Sequence, residues 1–123
     1  QIAPADWLAS REAAVEAAAP DSGTVKEIDA ILSDADERYY EGPRMIANRA
    51  VQIEQMLREN GQRESARSII AALSSIAPPG EHAGFGETCQ HYVTARIQGS
   101  SRDEALRLLK GKGLPAPVEG DER

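Results

Sequence analysis

The sequence predicts an all-α fold, an antiparallel bundle of five to six amphipathic helices. Hydrophobic residues make up 41% of the 123 residues, but aromatic residues make up only 4%. The chain is rich in alanine, a strong helix former, and poor in valine, threonine and aromatic residues, which strands prefer. Apolar residues recur at helical spacing in successive segments that proline and glycine separate. A chain of this length is one domain that can bury a core without disulfides.

Two helices are predicted in the first third of the chain. Asp6 is suited to cap a helix that runs through the alanine-rich segment to the next proline. A turn at residues 21–23 follows, and then Thr24 and Glu27 have the spacing of a capping box. The apolar residues beyond them repeat at helical intervals, so a second helix is expected to end near Tyr40.

The third predicted helix has the clearest pattern. One arc of its helical wheel collects the following apolar side chains: Met45, Ile46, Ala50, Ile53, Met56 and Leu57. Asn60 and Gly61 suit its end. Before it, Pro43 either starts a new helix or kinks one long helix, because proline lacks a backbone donor and disfavours helical geometry in the preceding residue.

Three further helices are expected in the second half of the chain. The fourth ends at Pro78, the fifth runs over residues 87–98, and Ser101 with Glu104 forms a capping box for the sixth. Residues 78–86, which include three glycines and two prolines, form the longest irregular segment inside the domain. Loops of this kind often carry function.

The pattern of helices ends near Gly111. The remaining residues show no periodicity and include prolines, glycines and charged residues. The sequence therefore predicts a single helical domain at residues 1–111 and a flexible C-terminal tail at residues 112–123.

Three arginines interrupt the apolar faces of predicted helices: Arg11, Arg49 and Arg96. In one interpretation, each lays its methylene stem on the core edge and pairs with a carboxylate of a neighbouring helix. In the other, two or three of them converge on a cleft and bind an anionic group, because guanidinium matches carboxylate and phosphate in two-point contacts. None of the three arcs contains an acidic residue, so a carboxylate partner must come from elsewhere.

Two histidines border this hypothetical site. His91 lies four residues after Glu87 on the fifth helix, and His82 lies in the preceding loop. This spacing could offer metal ligands, but it is common by chance, so we predict neither a metal site nor a cofactor. We therefore expect ligand-binding residues at Arg49, Arg96 and Arg11, with His91 and His82 beside them.

The single cysteine is not expected to react. Cys89 lies on the apolar face of the fifth helix, where cysteine packs as a small hydrophobic residue. His91 is two residues away on the same helix and therefore points in a different direction. The sequence predicts no catalytic residues.

Charge disfavours nucleic acid as a partner, since the net charge is -6. The helix pair near the C-terminus nevertheless has the order of a helix-turn-helix, and residues 96–112 carry mainly basic charges. DNA binding is therefore kept as an alternative, although Asp103 and Glu104 would meet phosphates. No apolar segment has the length of a membrane span.

The first residue, Gln1, is not methionine. Removal of a signal peptide would leave such an N-terminus, as would any other boundary in a longer chain. We expect a periplasmic or secreted protein in preference to a cytoplasmic one.

These observations predict a small, soluble, acidic helical module that binds an unknown protein partner or a small anionic ligand. The second hypothesis is a DNA-binding or regulatory protein that uses the C-terminal helix pair. The third is an enzyme or accessory subunit that uses His82 or His91. We expect a protein that is not an enzyme, and the sequence does not determine its ligand or oligomeric state.

Overall fold

The computed structural model describes residues 2–15 and 21–117. Over this part of the chain it contains six α-helices and no β-strand, which confirms the predicted all-α bundle. In chain order the helices are α1 (Pro4–Val15), α2 (Ser22–Arg38), α3 (Pro43–Glu59), α4 (Ala66–Ser75), α5 (Phe85–Ile97) and α6 (Arg102–Lys112). Among the described residues, no helix is both long enough and apolar enough to cross a bilayer.

Helix α3 is the centre of the bundle and packs against α1, α2, α4 and α5. Its apolar face is fully buried at Ile46, Ala50 and Leu57. Each large aliphatic side chain removed from water in this way contributes about 1.5–3 kcal/mol to the free energy of unfolding. The small side chains of Ala47 and Ala50 are buried on this face beside the larger aliphatic ones.

The first two helices begin earlier than predicted. Helix α1 starts at Pro4 rather than after Asp6, because proline at the first position loses no intrahelical hydrogen bond. Helix α2 starts at Ser22, and its N-cap is Asp21, whose side chain accepts a hydrogen bond from Gly23 N. The predicted capping box at Thr24 is therefore wrong. The segment read as a turn is the first turn of the helix.

The chain breaks between α2 and α3 instead of kinking. Tyr39 is the C-cap of α2, with an extended conformation (φ -117°, ψ 155°). Gly42 is the N-cap of α3, and Pro43 takes its first position. Between the helices, Tyr40 N donates to Ala83 O at 2.8 Å, which ties this connection to the loop before α5.

Helix α5 begins at Phe85, two residues before its predicted start. Its N-terminus is capped by a residue distant in sequence, Glu41, whose side chain is fully buried. The two carboxylate oxygens of Glu41 accept hydrogen bonds from Phe85 N at 2.8 Å and Gly86 N at 2.9 Å. A carboxylate at this position satisfies backbone donors and interacts favourably with the positive end of the helix dipole.

The segment after α6 lies against the start of α5. The predicted capping box of α6 is confirmed, and the helix ends at Lys112. Beyond it, Gly84 N donates to Pro115 O at 2.8 Å. A Cβ atom at Gly84 would lie only 2.8 Å from Pro117 Cα, so the close approach requires glycine. The predicted tail began at residue 112, but Lys112 belongs to α6. The segment 113–117 contacts the bundle, and residues 118–123 lie outside the described chain.

Removing the Glu41 carboxylate should destabilise the fold. We expect Glu41→Ala to lower the free energy of unfolding by about 2–4 kcal/mol, because it leaves one buried and one partly buried amide donor unpaired and opens a small cavity. Urea denaturation followed by circular dichroism measures this change. Glu37→Ala, which removes an exposed carboxylate of α2, is the matched control and should change the value by less than about 0.5 kcal/mol. Equal losses in the two variants would contradict this role of Glu41.

Candidate functional site

Arg11 pairs with a carboxylate from another helix. Its Nη2 donates to Glu54 Oε1 of α3 at 3.1 Å, and its guanidinium carbon lies 5.7 Å from the centre of the Trp7 ring. Its side chain is 30% exposed. The guanidinium of Arg11 is therefore held by the Glu54 carboxylate and the Trp7 ring, and part of the side chain is exposed to solvent.

Arg96 belongs to a more buried cluster. Its Nη1 lies 2.7 Å from Glu64 Oε1 and 2.8 Å from the hydroxyl of Tyr92, which itself donates to Glu64 Oε1 at 2.6 Å. Arg102 Nε lies 3.2 Å from Glu64 Oε2. The Glu64 side chain is only 6% exposed, so the segment between α3 and α4 is fixed to α5 and α6 by one buried carboxylate.

Arg49 lies at the contact between α3 and α5. A Cβ atom on Gly86 would be 3.3 Å from Arg49 Nε and 3.4 Å from Glu41 Oε2, so both side chains border the first turn of α5. The Nε atom is buried and has no hydrogen-bond partner among the described residues. Because Glu41 already occupies the positive end of α5, this position has little remaining attraction for an external anion.

The three arginines therefore lie in three different surroundings. None of three well-formed pockets over the described residues is lined by more than one of them. Arg11 and Arg96 take their carboxylates from other elements, as the absence of acidic residues on their own apolar arcs required. For Arg11 and Arg96 this is the geometry of the first interpretation, in which a guanidinium pairs with a neighbouring carboxylate.

A pocket of about 490 Å³ opens between α1, the end of α3 and the start of α4. We call it the arginine pocket. It is lined by Leu8, Arg11, Glu12, Glu54, Arg58, Gln62, Arg63, Glu64, Ser65, Ala66 and Arg67. Four arginines and three glutamates give this lining a formal charge of +1, against -6 for the whole chain.

The arginines of the pocket differ in how strongly they are already engaged. Arg67 binds Glu12 with two nitrogens, at 2.7 and 3.1 Å, and Glu27 with a third at 2.9 Å. The hydrogen bonds to Glu12 raise the pKa of Arg67 above its usual value. Arg58 has one ion pair, 3.5 Å from Glu54 Oε2, and is 56% exposed. Arg63 is exposed and has no ion pair among the described residues.

The first turn of α4 also lines the pocket. Ser65 is its N-cap and accepts a hydrogen bond from Ser68 N at 3.2 Å. Ala66 and Arg67 occupy the first two helical positions, whose amides have no acceptor within the helix. The pocket thus joins the positive end of a helix dipole to two weakly engaged guanidinium groups, which is an environment that favours an anion.

The two histidines lie away from this pocket. His91 is exposed on α5. His82 is exposed in the loop, has a left-handed backbone conformation (φ 52°), and places Nδ1 3.4 Å from Tyr39 O. Within residues 2–15 and 21–117, no group of three or more potential metal-ligating side chains is arranged to hold a metal ion.

Cys89 is buried, as predicted. Its burial raises the pKa of the thiol well above its usual value, and the negative charge of Glu41 acts in the same direction. The reactive thiolate is therefore disfavoured at neutral pH.

The basic residues of the C-terminal helix pair are only partly available to a partner. Arg96 and Arg102 are paired with Glu64, whereas Arg107, Lys110 and Lys112 are exposed. Asp103 and Glu104 occupy the first turn of α6. DNA binding by this pair stays a prediction.

The sequence did not single out most of the arginine pocket. Only Arg11 was among the predicted site residues. Arg58, Arg63 and Arg67 look like ordinary surface charges in a helical pattern, and their proximity depends on how α1 lies across α3 and α4. The short connection between α3 and α4, with two charged residues before the Ser65 cap, is the one local signal that could have indicated the site.

The fold and this pocket define a helical module with a cleft of mixed charge. The family model for MoxZ matches residues 5–114, and the chain therefore belongs to the MoxZ family. No curated protein and no solved structure matches the chain.

Cys89 should be unreactive in the folded protein. At neutral pH we expect its reaction with Ellman's reagent to be at least about a hundredfold slower than that of free cysteine, since the thiol is both buried and protonated. Absorbance at the reagent's product wavelength measures the rate. The same measurement in denaturing urea is the control and should give a fast reaction. A fast reaction without urea would contradict the burial of this residue.

The pH dependence of stability should report on Tyr92. Burial, together with the hydrogen bond to Glu64, raises the pKa of Tyr92 from 10.0 to about 12. The folded state thus holds this proton more tightly than the unfolded chain does. Its contribution to stability is complete below pH 10 and is lost as the pH rises towards 12.

We therefore expect the free energy of unfolding to fall between about pH 9 and about pH 11, and to fall less steeply in Tyr92→Phe. Urea denaturation at the two pH values measures both slopes. Burial also raises the pKa values of Tyr39 and Cys89, so these two groups keep part of the pH dependence in the variant. An identical slope in the two proteins would show that Tyr92 does not carry this linkage.

Proposed function

We propose that this protein is a non-enzymatic binding module whose ligand site is the arginine pocket. Its ligand is a small anion, or an anionic group presented by a partner protein. The observation that carries the proposal is the convergence of four arginines from α1, α3, the following connection and α4 on one cavity of about 490 Å³. Guanidinium groups in a partly enclosed site bind carboxylate and phosphate through charge-assisted hydrogen bonds.

The engaged and free arginines have different parts in this proposal. Arg11 and Arg67 are fixed by Glu54 and Glu12, so they form rigid walls. Arg58 and Arg63 are exposed, and over the part of the chain that the structure describes only Arg58 has an ion pair, at 3.5 Å. These two arginines therefore supply the donors that close on the anion. Fixing the walls through ion pairs lowers the entropy lost on binding, since fewer side chains must be ordered by the ligand.

The other predicted site residues have a smaller part here. Arg96 does not line the pocket, but it holds Glu64, which does. Arg49, His82 and His91 do not line it. Export to the periplasm stays a prediction, and so does the use of a histidine in catalysis.

The proposal is tested by isothermal titration calorimetry with inorganic phosphate. We expect saturable binding by the wild type, and about tenfold weaker binding by the double variant Arg58→Gln with Arg63→Gln, because it removes both mobile donors. These residues are exposed, so the variant should keep the helical circular dichroism spectrum.

Arg107→Gln is the matched control for loss of one exposed positive charge, since Arg107 lies on α6 outside the pocket. Its phosphate affinity should equal that of the wild type. If the wild type binds no phosphate, or if the control loses as much affinity as the double variant, the pocket is not the anion site.

A further inference from the structure

Two residues that line the arginine pocket each hold a buried acceptor oxygen that has no hydrogen-bond donor among the described residues. The two oxygens are Gln62 Oε1 and Glu64 Oε2. The amide of Gln62 is oriented by its Nε2, which donates to Arg96 O at 3.0 Å. Glu64 Oε2 lies 3.2 Å from Arg102 Nε, in an ion pair that lacks hydrogen-bond geometry. Both residues line the same cavity as Arg58 and Arg63.

Buried acceptors without donors are uncommon in folded proteins, because each has lost its hydrogen bonds to water. A ligand that brings N–H groups to these two oxygens recovers those bonds. Since one of the oxygens belongs to a carboxylate that is only 6% exposed, a protonated amine is favoured over a neutral donor. Arg102 is 47% exposed, so its side chain can turn outward as the amine takes its place.

We infer that the arginine pocket selects a small zwitterion, a ligand that carries both a carboxylate and a protonated amine. Arg58 and Arg63, with the first turn of α4, bind the carboxylate. Gln62 Oε1 and Glu64 Oε2 accept hydrogen bonds from the amine. This inference rests on the proposed anion site. It adds Gln62 and Glu64, which also line the pocket, as the group that recognises the amine.

The lining favours a ligand that carries both charges over one that carries a single charge. With four arginines and three glutamates, a ligand with a single negative charge meets repulsion from Glu12, Glu54 and Glu64 as well as attraction from the arginines. A ligand with a single positive charge is repelled by the arginines and attracted by the glutamates. A zwitterion matches both signs, so discrimination comes from repulsion of the wrong ligand as well as from attraction of the right one.

The test compares ligands that are matched in length and differ in charge. The probes are 4-aminobutyrate, butyrate and butylammonium, with the six-carbon series 6-aminohexanoate, hexanoate and hexylammonium added because the separation of the two ends is a second variable. Dissociation constants come from titrations followed by amide resonances of residues 62–67 in ¹H–¹⁵N NMR spectra. In at least one series we expect the zwitterion to bind about tenfold more tightly than either singly charged analogue.

Two variants separate the two ends of the ligand. Glu64→Gln keeps an acceptor for Tyr92 but removes the negative charge. The affinity of this variant for the zwitterion should therefore fall to its affinity for the carboxylate analogue. Arg63→Ala should lower the affinities for the zwitterion and for the carboxylate analogue by a similar factor, and leave the affinity for the ammonium analogue unchanged. Glu59→Gln, at an exposed position of α3 outside the pocket, is the matched control for loss of a carboxylate.

The outcomes distinguish the inference from the function on which it rests. Equal affinities for the carboxylate and the zwitterion in both series overturn the inference and leave the anion site standing. If no probe shifts the pocket resonances, both fail. If Glu64→Gln does not fold, Gln62→Met removes the other acceptor and should reduce the zwitterion's advantage; an undiminished advantage in that variant also overturns the inference.

Discussion

The arrangement of this bundle depends on glutamates that balance arginines on otherwise apolar helix faces. A guanidinium that loses water at a helix interface costs free energy unless a carboxylate lies beside it. Glu54 of α3 supplies that partner to Arg11 of α1, and Glu64 supplies it to Arg96 of α5. Each pair joins elements that are distant in sequence, so the charges help to fix which helices lie together.

The same balance creates the pocket. Where α1 crosses the connection between α3 and α4, the ion pairs keep charged side chains at the interface, and apolar packing does not close the space between them. Arg67 is held by Glu12 and Glu27, whereas Arg63 has no ion pair within residues 2–15 and 21–117. A rigid wall and a free donor thus share one cavity, and this combination suits reversible binding better than either would alone.

The helices were largely predictable from the sequence because their signals are local. Apolar periodicity identified α3, and the capping box of Ser101 with Glu104 identified the start of α6. The predicted starts of α2 and α5 were wrong for different reasons. At α2 two polar residues could serve as caps, and Asp21 was used instead of Thr24. At α5 the cap is Glu41, more than 40 residues away, which no local pattern indicates.

The site was less predictable than the fold. The sequence correctly required that the carboxylates of Arg11 and Arg96 come from other elements, but it could not name Glu54 or Glu64. Ion pairs and pockets between helices depend on crossing geometry, and many surface arginines have the same helical spacing. Arg58 and Arg67 carry no local feature that separates them from other charged residues on helices, and Arg63 is marked only by its place in the short connection before the Ser65 cap.

The most direct measurement of the central claim follows the Nε–Hε resonances of every arginine by ¹⁵N NMR during a titration with phosphate. If the arginine pocket is the anion site, shifts should be confined to Arg11, Arg58, Arg63 and Arg67, with one common dissociation constant. Arg38, Arg44 and Arg107 should stay unchanged. Shifts spread evenly over all arginines, or centred on Arg49 beside Glu41, would contradict the account.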